Sequence, residues 1–267
     1  MFKDEMKHEA IPERVFALCD LVKSKTVSEA DAREFFQPKE LAGTSYFPMV
    51  RDAAQELGLI NVVDKKISLA VDKKFVTSME DMRKYIISHI SVIREGQFYE
   101  TSQAYFELNE KAYEYKSVTD QDLMDALEKN ISRKLDVDDM RAWRFWAAYL
   151  GFGHLARVAE SNTNQMNFLP NLYRYLKAAI EVANFEKNKE YRIDDFISEI
   201  QLSCDIAMKD AINSRRLNMA MSYGLRMLHD NGEIELRYQL DNKNLWYLYP
   251  SEIHAIKSEI SHVTVRR

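Results

Sequence analysis

The chain has 267 residues, of which 46% are hydrophobic and 11% aromatic, and its formal net charge is −5. This composition is typical of a folded protein and excludes an intrinsically disordered one. The acidic balance excludes a surface that attracts nucleic acid or anionic lipid everywhere, so any contact with DNA has to be local.

Neither the two cysteines nor the six histidines have the spacing of a metal site. Cys19 and Cys204 are expected to be reduced core residues. No apolar run approaches the roughly 20 residues that a membrane span needs. We therefore expect a cytoplasmic protein without metal, cofactor, catalytic residue or membrane partner.

The first predicted section, residues 1–77, combines helices with a hairpin. Three helices are expected, over residues 11–22, 28–36 and from about 43–45 to 57. Ser28 lies three residues before Asp31, which is typical of a capped helix start. Gly58 ends the third helix, and strands follow at residues 60–63 and 67–71. Helices followed by a hairpin indicate a winged helix, a variant of the helix-turn-helix.

The lysines Lys65, Lys66, Lys73 and Lys74 lie at or beside this first hairpin. They could contact DNA phosphates independently of base sequence. The alternative is that they solvate an edge strand, as lysines often do.

The middle section, residues 78–169, is predicted to contain helices in addition to those of a winged helix. Its predicted helices cover residues 79–93, 98–115, a stretch after the cap at 117–122, and 139–150. Strands at residues 154–159 and 166–169 would form a second wing. The aromatic side chains of the last helix are mainly expected in the core. Phe145 and Tyr149 are instead expected to turn partly outward and could anchor a protein partner.

The last section, residues 170–267, contains the candidate DNA-binding surface. Apolar side chains between residues 217 and 228 follow helical spacing, and Gly232 ends that helix. Residues 233–240 and 245–248 are predicted to pair as a hairpin. A helix over residues 251–263 would then pack back on this section or dock on a partner.

The opposite face of the 217–228 helix is polar. Arg215, Asn218, Ser222 and Arg226 are offset by 0, 3, 7 and 11 residues, with Arg216 beside them. Arginine, asparagine and serine donate to phosphates and base edges, so this pattern favours contact with DNA. A solvated helix face is the alternative. With two wing residues as backbone clamps, the predicted DNA-binding residues are Arg215, Arg216, Asn218, Ser222, Arg226, Arg237 and Lys243.

Similar helix ends recur along the chain, at Gly58, Gly151 and Gly232, and successive glycines are 93 and 81 residues apart. Such recurrence indicates structural repeats. The fold class expected is mainly α with small β-hairpin wings, in three tandem winged-helix repeats. The net charges of the three sections are −1, −4 and 0, so the last one is the best candidate for contact with nucleic acid.

The segment Trp143-Arg-Phe-Trp-Ala-Ala-Tyr-Leu-Gly-Phe152 and the following Asn-Phe-Leu-Pro-Asn171 resemble the middle of a known bacterial protein family. The family is the G component of 7-deazaguanine DNA-modification and restriction systems, and residues 11–18 are similar in placement. The resemblance implies an accessory, non-catalytic subunit that works beside an ATPase or helicase in phage defence.

Together these patterns predict a non-catalytic subunit that binds double-stranded DNA locally and weakly and scaffolds a bacterial DNA-processing or defence complex. The alternative is a winged-helix adaptor that grips protein partners and does not touch DNA.

Overall fold

The computed structural model describes residues 1–38, 45–157, 166–240, 244–256 and 258–266. Helices predominate in these residues, and four small antiparallel sheets accompany them. The expectation of a mainly α protein with small β-hairpins is therefore confirmed. No helix in the described part of the chain is long and apolar enough to cross a membrane.

The first section closely follows the sequence pattern. Its elements are α1 (Pro12–Val22), β1 (Val27–Ser28), α2 (Glu29–Phe36), α3 (Phe47–Glu56), β2 (Ile60–Val63) and β3 (Lys66–Leu69). The Ser28 side chain accepts the N–H of Asp31, which confirms the predicted cap. The strand order is β1-β3-β2. The predicted opening of the third helix at residues 43–44 lies outside the described residues, and α3 begins at Phe47.

The middle section has more helices than the first. Its elements are α4 (Met79–Ser88), α5 (Gln97–Glu107), α6 (Gln121–Glu128), α7 (Val137–Leu150), β4 (Gly153–Arg157) and β5 (Met166–Pro170). The expected helix over residues 98–115 is wrong beyond Glu107, because Asn109 takes a left-handed conformation and a short 3-10 turn follows. Val118 donates its N–H to the carbonyl of Met166, which places the chain before α6 beside β5.

The last section departs most from expectation. Its helices are α8 (Tyr173–Ala183), α9 (Ile193–Cys204), α10 (Ala211–Ser214) and α11 (Met219–Asp230). Its strands are β6 (Glu190–Arg192), β7 (Ile234–Arg237), β8 (Trp246–Tyr247), β9 (Glu259–Ile260) and β10 (His262–Val265). These form a sheet in the order β6-β10-β7 and a separate β8-β9 ribbon.

Two predictions about this section are wrong. β7 does not pair with residues 245–248, because β10 lies between β6 and β7 and takes up the partner position. The helix predicted over 251–263 is absent, and β9 and β10 occupy its C-terminal part. The isoleucine spacing there imitates a helix, but a β-branched run that can complete a buried sheet is favoured as a strand.

A common turn ends α3, α7 and α11. Gly58, Gly151 and Gly232 have positive φ angles of 68°, 90° and 65°. In each case the next residue donates its N–H to the carbonyl five positions earlier, at 2.8–2.9 Å. This is the bonding of a Schellman turn, in which glycine avoids the steric penalty of the left-handed conformation. A strand begins one residue later each time.

The three sections share a single buried core. Trp143 and Trp146 are fully buried, and their indole N–H groups donate to the Ser102 hydroxyl and the Ala10 carbonyl. α4 contacts α1, α7, α8 and α9 and so touches all three sections. Because apolar residues of every section join this cluster, the free energy of folding is shared among them.

Replacing Gly151 by Ala should cost about 2–4 kcal/mol of unfolding free energy. Alanine pays roughly 1–2 kcal/mol for the left-handed conformation, and its Cβ would lie 2.9 Å from Arg174 Cβ and 3.0 Å from the Tyr175 nitrogen. Gly232→Ala is the matched control, because a Cβ there meets no atom within 4 Å. It should cost about 1 kcal/mol. Urea unfolding measures both, and equal losses would contradict close packing of α7 on α8.

Candidate functional site

The predicted polar stripe of α11 does not face solvent at its centre. Ser222 is 0% exposed and Arg226 is 1% exposed. The prediction that these side chains are displayed to a DNA groove is therefore wrong for the folded chain. Asn218 is half-buried, and its carbonyl oxygen accepts the N–H of Met221 while its amide donates to the Ala207 carbonyl. It acts as the N-cap of α11.

Residues 246–250, which we call the strap, cover this face. The Ser222 hydroxyl accepts the Tyr249 N–H at 2.8 Å, and Arg226 Nη1 donates to the Tyr249 carbonyl at 2.7 Å. The strap also pairs with the chain before α11, since Tyr247 donates to the Arg215 carbonyl and accepts from Leu217 N–H. Trp246 fixes its start by donating to Asp194 Oδ1 at 2.8 Å. Ser222 and Arg226, which were predicted to contact DNA, thus bind the backbone of the chain itself.

Arg226 is a buried guanidinium without a carboxylate in contact. Its Nε is buried and has no hydrogen-bond partner in the described part of the chain. Burial lowers the pKa of Arg226, with weaker opposing effects of Tyr223 and Asp230. Because a buried charge costs free energy unless hydrogen bonds compensate it, the Tyr249 carbonyl is important for keeping this residue inside.

The remaining predicted DNA-binding residues differ in their surroundings. Arg215 approaches Asp194 at 3.5 Å and is partly exposed. Arg216 is exposed, and its guanidinium lies 4.9 Å from the centre of the Tyr247 ring. Arg237 pairs with Glu190 and Glu235 on the surface. Lys243 lies outside the described residues. The structure therefore does not bring these cations together as one continuous basic ridge.

A cavity of about 310 Å³ opens beside the start of α11. Its walls come from the end of α5, the chain around α10, the residues just before α11 and the strap. Four of its lining side chains are charged, and they are Glu107, Lys209, Asp210 and Arg216. Sequence reasoning missed this site apart from Arg216, because its residues are scattered along the chain and have no motif.

The last helix of the middle section, α7, has a different surface. Val137 and Phe145 on α7 are 38% and 40% exposed, and Arg141 lies between them on the same face. The Arg144 guanidinium lies 5.0 Å from the centre of the Phe145 ring. We call Val137, Arg141, Arg144 and Phe145 the α7 stripe. It joins exposed apolar area to two cations.

Tyr149, the other predicted anchor, points inward. It is half-buried, its hydroxyl donates to the Met79 carbonyl at 2.6 Å, and its ring makes an edge contact with Trp146. Burial raises the pKa of Tyr149. Tyr149 is thus partly exposed, as expected, but its hydroxyl end is directed inward, because a covered phenol needs an internal acceptor and finds one at the start of α4.

The described residues contain no group of three or more histidine, cysteine or acidic side chains placed to hold a metal ion. Both cysteines are buried, and desolvation raises the pKa of Cys19 to about 12 and that of Cys204 further. Since the thiolate is the reactive form, neither thiol is suited to nucleophilic chemistry at neutral pH.

Comparison with known proteins found no relative. No family model matches the chain, and neither the curated proteins nor the solved structures include a match.

Replacing Ser222 by Ala should loosen the strap. The change removes the acceptor of the Tyr249 N–H, and a covered donor without a partner costs about 1–3 kcal/mol. Hydrogen–deuterium exchange should become faster at residues 246–250, and urea unfolding should show the loss of stability. Ser91→Ala, at an exposed position, serves as the control. Unchanged exchange in the strap would show that this hydrogen bond does not retain it.

Proposed function

We propose that each of the three sections is a winged helix. In the first section a helix, a short strand, two helices and two strands follow in order, and the first strand pairs with the last. The last section has the same plan with additions: the short α10 precedes α11, β8 and β9 lie between β7 and β10, and the first strand, β6, again pairs with the last, β10. In the middle section the chain at Val118 takes the place of that first strand, beside β5. The common glycine turn between third helix and wing supports the same proposal.

The protein serves as a non-catalytic scaffold that binds a protein partner through the α7 stripe. The observation that carries this proposal is the contrast among the three third helices. α11 is covered by the strap, and Arg51 on α3 is paired with Glu29 and Asp52. α7 exposes Val137 and Phe145, with Arg144 against the Phe145 ring, and its Arg141 pairs with Asp138 at 2.9 Å on the exposed face. In a winged helix the third helix is the usual recognition element, so the middle unit is the one equipped to use it.

The chemistry of the stripe favours a protein over DNA as its ligand. Exposed aromatic and arginine side chains are enriched at the energetic centres of protein interfaces. Phosphates would be repelled by Asp136 and Asp138 at the start of α7, where Asp136 is the N-cap. A partner surface with an apolar pocket for Phe145 and carboxylates for Arg141 and Arg144 would match the stripe.

The biological setting is a proposal based on sequence. The Trp-rich segment that resembles the G component of bacterial 7-deazaguanine systems includes Phe145 and ends at the Gly151 turn. A subunit of a DNA-processing or phage-defence complex, such as an ATPase or helicase, is accordingly the kind of partner proposed.

Phe145→Ser should abolish or greatly weaken capture of the partner. Loss of a central aromatic anchor typically costs at least about 2 kcal/mol, which raises Kd more than tenfold. Phe35→Ser is the matched control, because Phe35 is 63% exposed on α2, outside the proposed interface. The tagged chain would be isolated from its native cells, and the captured subunit would then be purified for Kd measurements with both variants. Equal binding by both variants would rule out the α7 stripe.

A second candidate function is weak contact with DNA through the first wing. Lys65 and Lys66 lie at the exposed tip between β2 and β3, and neither forms an ion pair with the described residues. Lysines on a projecting hairpin can neutralise phosphates without reading base sequence. Arg215, Arg216 and Arg237 could add to such contact, since the surface ion pairs of Arg215 and Arg237 are weak and Arg216 forms none with the described residues.

Replacing Lys65 and Lys66 by Ala should reduce the salt dependence of DNA binding. Each phosphate contact adds about 0.9 to the steepness of log K against log salt, so two fewer contacts should lower it by about 1.8. Fluorescence anisotropy with a duplex of arbitrary sequence at low salt measures the slope. Lys116→Ala with Lys129→Ala is the charge-matched control, and Arg226→Ala should leave the slope unchanged. An absence of DNA binding by the unaltered chain would leave the protein scaffold as the function.

A further inference from the structure

The cavity beside α11 lies between the middle and last sections. Glu107 belongs to the end of α5, Asp210 precedes α10, and Tyr247 belongs to the strap. Its volume of about 310 Å³ is near the lower end of the range for small-molecule sites, which runs from roughly 300 to 1,000 Å³. A ligand of modest size would therefore touch three separate parts of the chain at once.

The charged side chains of this cavity are not used to hold the fold together. Glu107, Lys209, Asp210 and Arg216 form no ion pair with the described residues. Elsewhere on the surface such groups are commonly paired, as in Lys84 with Glu181. The cavity thus presents two carboxylates and two cations whose hydrogen-bonding capacity is available to a ligand.

The carboxylates provide a site for a cationic group. Partial burial raises the pKa of Glu107, the nearby Asp210 raises it further, and Lys209 opposes them. Both carboxylates are exposed to solvent at the cavity, and a carboxylate close to another negative charge gains free energy when an ammonium group binds to it. Glu107 and Asp210 are therefore suited to receive an amine together.

Arg216 provides the opposite charge. Its guanidinium lies against the Tyr247 ring, at 4.9 Å from the ring centre, and has no carboxylate partner in the described chain. The ring restricts the side chain without using its N–H donors. The N–H groups of Arg216 are therefore available for a charge-assisted hydrogen bond with a ligand carboxylate.

We propose that this cavity binds a small zwitterion of the amino-acid type. Its ammonium group lies at Glu107 and Asp210, its carboxylate at Arg216, and its apolar part against Met208 and Tyr247. A ligand with only a positive charge would leave Arg216 and Lys209 unpaired and close to a like charge. A ligand with only a negative charge would be repelled by the two carboxylates. A ligand that carries both signs matches both parts of the lining.

Binding of such a ligand has a structural consequence. Tyr247, Leu248, Tyr249 and Pro250 all line the cavity, so the ligand contacts the same strap that covers Ser222 and Arg226. The bound ligand joins the strap to the middle section through Glu107. It therefore stabilises the closed strap by the free energy of its own binding.

The test uses the full chain and isothermal titration calorimetry with the individual common amino acids as probes. Methylamine and propionate are the single-charge controls. At least one amino acid should bind, and both Glu107→Gln and Arg216→Ala should raise its Kd about tenfold or more. The single-charge probes should bind more than tenfold more weakly. Arg237→Ala, which changes an arginine away from the cavity, should leave Kd unchanged. Hydrogen exchange at residues 246–250 should slow when the amino acid binds.

The pH dependence gives an independent signature. Glu107 has to be ionised to hold an ammonium group, so affinity should fall as pH decreases toward its pKa, which is raised above the ordinary 4.5. Glu107→Gln should reduce this decline to the part that comes from Asp210. Failure of every amino acid to bind, equal binding of a single-charge probe, or a Kd unaffected by Glu107→Gln would overturn the proposal. If Arg216→Ala does not fold, Arg216→Gln tests the same charge.

Discussion

Two hydrogen bonds to the backbone of Tyr249 decide which side of α11 meets solvent. The Ser222 hydroxyl accepts the N–H and Arg226 Nη1 donates to the carbonyl, so the backbone of one strap residue contacts both polar side chains. Without the strap, a guanidinium and a hydroxyl on this face would be open to water and to ligands. With the strap in place, α11 is covered on both sides, and the last section offers a different surface from that of an open recognition helix.

This arrangement retains a charged residue at an unfavourable position. The Arg226 guanidinium has one neutral acceptor in contact, and its Nε has no partner among the described residues. Its burial therefore lowers the free energy of unfolding, as its lowered pKa also indicates. An apolar residue of similar volume would cover the helix at lower cost. The polar pair instead determines the position of the strap, because a hydrogen-bonded peptide unit has one register on the helix. The strap in turn forms a wall of the cavity that contains Glu107 and Arg216.

The shared core explains how these surfaces can be maintained together. α4 packs against helices of all three sections, and Gly224 of α11 approaches the backbone of Leu172 and Tyr173 closely enough that a Cβ would lie 2.8 Å away. Interfaces of this kind bury helix faces that would be exposed to solvent if the three sections folded as separate small units. The binding surfaces proposed above, which are the α7 stripe, the lysines of the first hairpin and the mixed-charge cavity, all lie on this shared core.

Local chemistry in the sequence determined the ends of elements and the first hairpin. Gly58, Gly151 and Gly232 end helices because the left-handed conformation is inexpensive for glycine, and Ser28 starts α2 because its hydroxyl reaches an N–H three residues later. Tertiary structure decided the rest of the candidate site. The stripe of Asn218, Ser222 and Arg226 has the same spacing whether it meets DNA, water or another part of the chain, so the sequence could not distinguish these cases. The same is true of β10, whose position between β6 and β7 depends on residues far away in the sequence, and of Glu107 and Asp210, which only folding brings to one cavity.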